Sequence, residues 1–371
     1  MQRLTCNLMK ITVACFVLLT LYSCGAIRST GRYPSKKMEA AYEQQYPSYY
    51  NGAFHSLYSP LDTASHAGVP RSKLRKELFG RFKRPRLSQP IPHVKQNLRD
   101  TVFTELTVVW FGHSSYLIQS NGFTILVDPV LSGHASPLWL VNRNYEGSNE
   151  YSLKDLPAVD MLLITHDHYD HLDYKTVRKL RKTVEKVVAP VGVGRTLDRW
   201  NVPEELTHEV YWGDTLTLAD GVRLISTPAQ HFSGRRFKRN KTLWTSYVLD
   251  MHGYRLFLGG DGGYNRHFKD IGDEYGPFDL AILENGQYSP YWRNSHAYPE
   301  QTAQAALDLR AKMVLPVHWA KFSATFHPWN EPVVRLLNAA DSLGVQVTVP
   351  QIGEPYTVGS PPKRTVWWNF D

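Results

Sequence analysis

The most constraining stretch of this chain is HDHYDH, residues 166–171, which follows directly on the apolar run MLLIT. Three histidines and three aspartates fall between His166 and Asp173. An apolar run of that length reads as a buried strand, so the polar cluster falls on the loop at its end, where a rigid scaffold can hold functional side chains. His166 and His168 alternate by two and point the same way while the backbone is still extended. Asp170 and His171 sit at the turn into a helical pattern, DYKTVRKLRK. Asp173 is its expected N-cap, and Tyr174, Val177 and Leu180 share a face. Asp167, between two ligand-type residues, is expected to point away from them. Imidazole and carboxylate together suit zinc, and iron or manganese less decisively.

Three more positions share this context, each just after an expected strand. LISTPAQH ends in His231, LFLGGDGGY delivers Asp261 into a Gly-rich turn, and MVLPVHW delivers His318. Four ligands satisfy one tetrahedral ion, so seven such residues suggest two ions. Cysteine takes no part. The three in the chain, Cys6, Cys15 and Cys24, all lie in the first 24 residues, leaving no Cys nucleophile or ligand downstream and no disulfide framework in the body.

The same N-terminus has the layout of an export signal. Arg3 and Lys10 precede the apolar run ITVACFVLLTLY, too short to span a bilayer, and SCG follows. LYSC resembles a bacterial lipoprotein signal, which implies removal of residues 1–23 and lipidation of Cys24; an ordinary secretory signal cut nearby is the alternative. A lipoprotein of the cell envelope, on a periplasmic or outer-membrane face, is therefore expected. Residues 24–70 read as a tether and irregular arm, rich in Tyr, Ser, Pro and Gly. Residues 71–104 form a basic lead-in. Its span 71–99 holds ten Arg or Lys and one Glu, either a surface for anionic head groups or a solvated basic face. The formal net charge of +8 favours anionic partners without naming one.

From residue 105 the texture is that of a globular domain. ELTVVWF, SYLIQS and FTILVD read as strands, the last two joined by the hairpin dipeptide NG. KVVAP, VRLIST, WTSYVLD, YRLFLG, DLAILE, MVLPV and VQVTV follow as strands, and PEQTAQAALDLRA and EPVVRLLNAADSL as helices. Strand meanders first and β–α alternation later imply an α/β (α+β) fold with two packed sheets and helices outside.

These motifs resemble the metallo-β-lactamase superfamily, whose His-x-His-x-Asp-His signature stands here as HDHYDH with a later His, Asp and His in the expected order. The resemblance covers roughly residues 105–350 and implies a four-layered αββα sandwich over 105–371. Carried over by residue, it implies that His166, His168 and His231 hold one metal, that Asp170, His171 and His318 hold a second, and that Asp261 bridges both. VVWFGHSSYLI, ILVDPVLSGHASP, QHFSGRRFKRNKTLWTSYVL, SHAYPEQT and PVHWAKFSATFHPWNEP resemble the branch of phospholipases D that hydrolyse N-acylphosphatidylethanolamine. Gly262 departs from it, standing where many relatives carry Thr. The implied cofactors are two divalent ions, most readily Zn2+, sharing a hydroxide as the attacking group.

His296 in NSHAYPE resembles that branch's active-site histidine and, with Asp170, is taken as catalytic; its alternative is a helix-entry residue. Asp128 in LVDP either orients a ligand imidazole or serves a turn, and His113 in GHSS either joins that network or stabilises its turn. Tyr288, Tyr291 and Trp292 form either an apolar substrate wall or else core or a dimer surface. His327 either lines the pocket or, as the first expectation, packs on Trp329. The function implied is metal-dependent hydrolysis, foremost of a phosphodiester in a phospholipid or small amphiphile. Lactone or carboxylic ester hydrolysis is the alternative, and a non-catalytic envelope metal-binding protein a further one. A membrane contact is expected through Cys24, an oligomer is open, and no nucleic-acid partner is expected.

Overall fold

A computed structural model describes residues 25–58, 87–290, 292–325 and 327–370. The expected leader, Cys24, Tyr291 and the basic residues 71–86 lie outside them.

The arm is more ordered than its composition suggests. Helix α1 (Lys36–Gln45) begins at Ser35, whose side chain accepts from the Met38 amide. It leads into a short hairpin of β1 (Tyr49–Tyr50) and β2 (Ala53–Phe54). KKMEAAYEQQ has little apolar periodicity, and the helix is held by tertiary contact instead: Tyr42, Tyr49 and Phe54 pack with Val191, Trp212, Leu243 and Trp244 of the main domain. The expectation of an irregular arm is corrected on that ground.

The main domain opens with β3 (Thr107–Trp110), β4 (Tyr116–Ser120), β5 (Phe123–Val127) and β6 (Met161–Leu163), then α2 (Tyr174–Leu180), β7 (Lys186–Pro190), α3 (Gly194–Arg199) and β8 (Thr207–Val210). After these come β9 (Thr215–Ala219), β10 (Val222–Thr227), β11 (Ser246–Met251), β12 (Tyr254–Leu258), α4 (His267–Tyr275), β13 (Leu280–Glu284), α5 (Pro299–Asp308), β14 (Val314–Val317), α6 (Glu331–Leu343) and β15 (Pro355–Thr357). Two sheets result, ordered β15-β3-β4-β5-β6-β7-β8 and β14-β13-β12-β11-β10-β9.

Residue alternation assigns the layers. Val108, Ile118, Ile125, Met161, Leu163 and Val188 join the core shared with the second sheet. Their neighbours Val109, Leu117, Leu126, Leu162 and Val187 face Val177 and Leu180 of α2 and Leu197 of α3. Residues of α4, α5 and α6 close the second sheet's other side, including Phe268, Ala306 and Leu336. A strand buried on both faces needs apolar residues at every position, hence runs such as MLL and KVVAP in place of alternation. The order is helix, sheet, sheet, helix, as the αββα expectation had it.

The NG hairpin forms between β4 and β5. Asn121 and Gly122 take φ of 48° and 82°, and Ser120 pairs with Phe123. VQVTV, expected as a strand, makes only an isolated parallel bridge, Val347 to Val314. Val314 donates to Gln346 and accepts from Thr348. The next ladder bond would need an N–H at Pro316, which has none.

Candidate metal centre

Strand direction brings the site residues to one edge. β3 and β4, and β4 and β5, are antiparallel, whereas β6 runs parallel to β5, so β3, β5 and β6 end together. In the second sheet β10, β12, β13 and β14 end together by the same reasoning. His113, Asp128, His166, His231, Asp261, Glu284 and His318 stand at or just beyond these carboxyl ends. Close backbone approach there requires glycine. A Cβ on Gly260, at φ +60°, would lie 3.1 Å from Thr165 Cβ and the Thr245 carbonyl, and one on Gly286 2.3 Å from the His318 carbonyl.

All seven expected ligands come together, in two clusters. His166, His168, His231 and Asp261 form one and His113, Asp170, His171 and His318 the other, each with potential ligand atoms within 4.8 Å of one another. In the first, His166 Nε2 and His231 Nε2 lie 2.9 and 3.2 Å from His168 Nδ1. Asp261 stands between the clusters. Its Oδ2 is 3.9 Å from His166 Nε2, 3.8 Å from His231 Nε2 and 3.1 Å from His171 Nε2, and its Oδ1 is 3.0 Å from His318 Nδ1. His113, read either as part of the supporting network or as a turn residue, has its Nε2 3.0 Å from Asp170 Oδ2, the contact a supporting residue makes, and also lies within reach of the second cluster's ligand atoms.

The supporting contacts are specific. Asp128 Oδ2 accepts from His171 Nδ1 at 2.7 Å and from the Thr165 hydroxyl at 2.6 Å, while Oδ1 accepts from the Thr165 amide at 2.9 Å. This is the orienting role, not a turn role alone, and it leaves His171 Nε2 facing Asp261. His231 Nδ1 donates to the Ser295 carbonyl at 2.8 Å, which likewise frees Nε2. Asp167 turns away and accepts from the Gly234 amide at 2.8 Å, and Asp173 caps α2 by accepting from the Lys175 amide.

The donor set fits a divalent cation. His171 Nε2, His318 Nε2 and Asp261 Oδ1 are buried and close to other polar atoms, yet none has a hydrogen-bond partner. Left so, each would cost about 1–3 kcal/mol, a cost that ligation removes. Burial drives His166, His231 and His318 well below the ordinary histidine range and lowers His168 and His113, which keeps them in the neutral, ligating form. Burial alone would raise Asp170, but the His113 hydrogen bond and the His171 charge outweigh it and hold the carboxyl well below its usual range. His171 goes the other way. Against burial, the charges of Asp261 and Asp128 raise it well above the ordinary value, because two buried carboxylates demand a positive charge beside them.

Sequence reasoning missed Glu284, Ser295 and Arg235. Glu284 is 5% exposed and accepts from His296 Nδ1 at 2.9 Å and from the Ala297 amide at 2.6 Å. Burial pushes its carboxyl up to about 7. Burial lowers His296, but the charge and hydrogen bond of Glu284 outweigh that and raise it. Arg235 donates to the Asp167 and His168 carbonyls at 2.8 and 3.3 Å and to the Ser29 carbonyl at 2.8 Å, tying the HDHYDH loop to the N-terminal segment. Its guanidinium lies 4.0 Å from the Tyr169 ring.

The aromatic cluster divides. Tyr288 is buried against Tyr298 and His327, and Trp292 Nε1 donates to the Gln287 carbonyl. His327 therefore stacks on Tyr288 and not, as expected, on Trp329. Of the basic span, Lys95 is engaged by Asp155 at 2.8 Å and Arg99 by the Lys154 carbonyl.

Comparison with known proteins agrees with this geometry. A family model described as the beta-lactamase superfamily domain matches residues 124–319. An uncharacterised protein of Mycobacterium tuberculosis is 39% identical over 337 residues, 89% of each chain. The N-acyl-phosphatidylethanolamine-hydrolyzing phospholipase D 1 of Caenorhabditis elegans is 28% identical over 256 residues, 64% of this chain and 70% of that protein. Over 91 residues the chain is 57% identical to outer membrane protein RomA of Klebsiella pneumoniae, covering 24% of this chain and 69% of that one. Among solved structures, the metallo hydrolase Igni18 of Ignicoccus hospitalis shares the fold, with a TM-score of 0.53 at 23% identity over 68% of this chain and 98% of that one. With the family model spanning more than half of the sequence, the chain belongs to the β-lactamase superfamily, as a metal-dependent hydrolase of the metallo-β-lactamase fold.

Proposed function

We propose that the protein hydrolyses a phosphodiester in a phospholipid or related amphiphile, with two divalent ions, zinc foremost, at the edge of the two sheets. The observation that carries this is the Asp261 carboxylate, which completes a cluster with His166, His168 and His231 and also faces His171 and His318 of the other. His166, His168 and His231 would hold one ion, and Asp170, His171 and His318 the other with His113 beside them. Two ions so held would lower the pKa of a water and neutralise charge on the attacking and leaving oxygens of an in-line displacement. The chain's own residues set the geometry. Asp128 and the Ser295 carbonyl fix two imidazoles, and Arg235 fixes the loop that carries four of the ligands. The resemblance to phospholipases D acting on N-acylphosphatidylethanolamine supports a lipid diester.

The LYSC motif supports an envelope lipoprotein anchored at Cys24, and the name of the RomA relative supports an envelope location alone. No helix among the described residues is long and apolar enough to cross a membrane. Cys24→Ala should abolish labelling by a palmitate analogue and move the protein to a soluble or unprocessed fraction; undiminished labelling would refute the anchor.

The substrate is tested by offering the metal-loaded enzyme a simple diester, an N-acylated phosphatidylethanolamine and a panel of lactones. Diester cleavage is expected. Rapid lactone opening without it would transfer the assignment to ester hydrolysis.

A further inference from the structure

Single exposed apolar side chains are ordinary on a protein surface, whereas a cluster of them calls for a partner. Leu138, Trp139 and Leu140 are consecutive and each about half exposed, Ile27 is exposed, and Phe237 is exposed entirely. Contacts gather these residues on one face. Gly25, Ala26, Ser29, Trp139, Tyr169 and Arg235 line a single open cavity of ≈ 180 Å³. The Lys238 amide donates to the Tyr33 hydroxyl at 2.6 Å, and the Arg236 guanidinium lies 5.1 Å from the Tyr33 ring. Segment 25–33 therefore runs between loop 132–143 and loop 232–240 and joins them into one surface.

The charge on that surface has one sign. The three segments contain no Asp or Glu, and Arg28, Arg32, Arg143, Arg236, Lys238 and Arg239 are all exposed. The Arg143 guanidinium lies 5.9 Å from the Trp139 ring, and Phe237 stands in sequence between Arg236 and Lys238. Apolar tips ringed by cations match a bilayer interface, where aromatic and aliphatic side chains enter the head-group region and Arg or Lys meets lipid phosphate. A nucleic acid would answer the cations but not Leu138 and Leu140. A second copy of the chain, related by a two-fold axis, would set these six cations against six more.

The path of the chain says which way this surface points. Gly25, one of the residues lining the cavity, is bonded to Cys24. The residues that follow are tied to the body: Trp200 Nε1 donates to the Arg28 carbonyl and Arg235 to the Ser29 carbonyl, each at 2.8 Å. A lipid on a long free tether fixes distance and leaves orientation open. A lipid on Cys24 emerges beside the apolar cluster itself, so this face would meet the membrane.

We propose that this surface docks on an anionic phospholipid bilayer, with Ile27, Leu138, Trp139, Leu140 and Phe237 entering the head-group region while the six cations meet lipid phosphates. The proposal deepens the envelope reading above and rests on it for the anchor; the surface stands on the exposed residues. Docking in this way brings the metal centre to the interface. The Arg239 guanidinium lies 4.9 Å from the Phe232 ring, and that ring is 4.6 Å from the ring of His168 and 4.8 Å from that of His231. A lipid head group held at Arg239 is thus one aromatic ring away from the first donor cluster.

The test is co-sedimentation with vesicles of phosphatidylglycerol and phosphatidylcholine, and with vesicles of phosphatidylcholine alone. It uses the full-length Cys24→Ala chain, so that no acyl chain on that residue holds the protein. Every variant carries the same N-terminus, whose contribution is common to all. Phe237→Ser and Trp139→Ser should each weaken binding to the anionic vesicles roughly tenfold, the effect of withdrawing one apolar ring from the interface. Together they should weaken it roughly a hundredfold, since separated sites add. Leu307→Ser and Val334→Ser, at exposed positions of α5 and α6, should leave binding unchanged. Binding should fall with salt and be weaker on phosphatidylcholine alone. Hydrogen exchange should slow on the anionic vesicles in residues 136–141 and 235–239 and keep its rate in α6.

Equal losses in the α5 and α6 variants would overturn the proposal, as would vesicle binding that neither ring variant weakens, which would leave the contact to the N-terminus. Self-association lost in Phe237→Ser, with no vesicle binding, would overturn it in favour of a second copy of the chain. Catalysis is not read, so the result is independent of the substrate. Undiminished acyl labelling of Cys24→Ala would remove the anchor separately, with the vesicle result still deciding the surface.

Discussion

Replacing Asp128 with Asn isolates the orientation of one ligand without removing any. The carboxylate accepts three hydrogen bonds, two on Oδ2 and one on Oδ1. An Asn that keeps its carbonyl on the Thr165 amide turns its NH2 toward His171 Nδ1, where a donor then meets a donor. Relief comes if His171 moves its proton to Nε2, but Nε2 is the atom that faces Asp261 at 3.1 Å and is needed for ligation. Loss of such an orienting partner costs roughly 10- to 100-fold in metal affinity, or about 1.4–2.8 kcal/mol. The alternative, an unanswered buried donor, costs about 1–3 kcal/mol and falls in the same range. Competition titration against a chromophoric chelator measures this directly. Affinity lower by one to two decades in Asp128→Asn, with the fold intact by circular dichroism, is the expected result. Unchanged affinity would show that Asp128 serves only the turn before Pro129.

Two further perturbations probe the scaffold. Lys321 is fully buried with its amine donating to the Phe111 carbonyl at 3.0 Å, and burial lowers it from 10.5 to about 7. The unfolded chain therefore binds more protons between those values, so stability should rise with pH across that window. Lys321→Met should remove the rise in denaturant titrations, and a persisting rise would refute it. Arg235→Ala leaves three carbonyls without their charged donor, two of them on the ligand loop. It should cost about 3 kcal/mol and speed hydrogen exchange in residues 25–58; exchange confined to its wild-type rate would contradict the tie.

The ligand set was legible because a ligand at a strand end interrupts an apolar run, and HDHYDH, PAQH, GGD and PVHW all do so. Glu284 ends LAILE in the same way but is a lone acid, and only the chain's return at His296 and Ala297 gives it partners. His113 was left between two roles for a related reason. GHSS reads as a turn, and the strand directions that carry it beside Asp170 are a property of the sheet. Helix α6 was bounded at both ends because its apolar stripe runs from Pro332 to Ala340 and Gly344 closes it at φ +71°. Helix α1 and the Arg235 tie escaped notice because contacts far away in sequence hold them.

Metal analysis of wild type and Asp261→Ala, both purified without chelator, tests the shared-carboxylate centre most directly. The Asp261 carboxylate faces both clusters, 3.1 Å from His171 and 3.0 Å from His318 of one and 3.9 Å from His166 and 3.8 Å from His231 of the other. Wild type should approach two equivalents of a divalent transition metal per chain, with most of that content and the hydrolytic activity lost together in the variant. A single tightly held equivalent in wild type, or full content and activity in Asp261→Ala, would contradict the account.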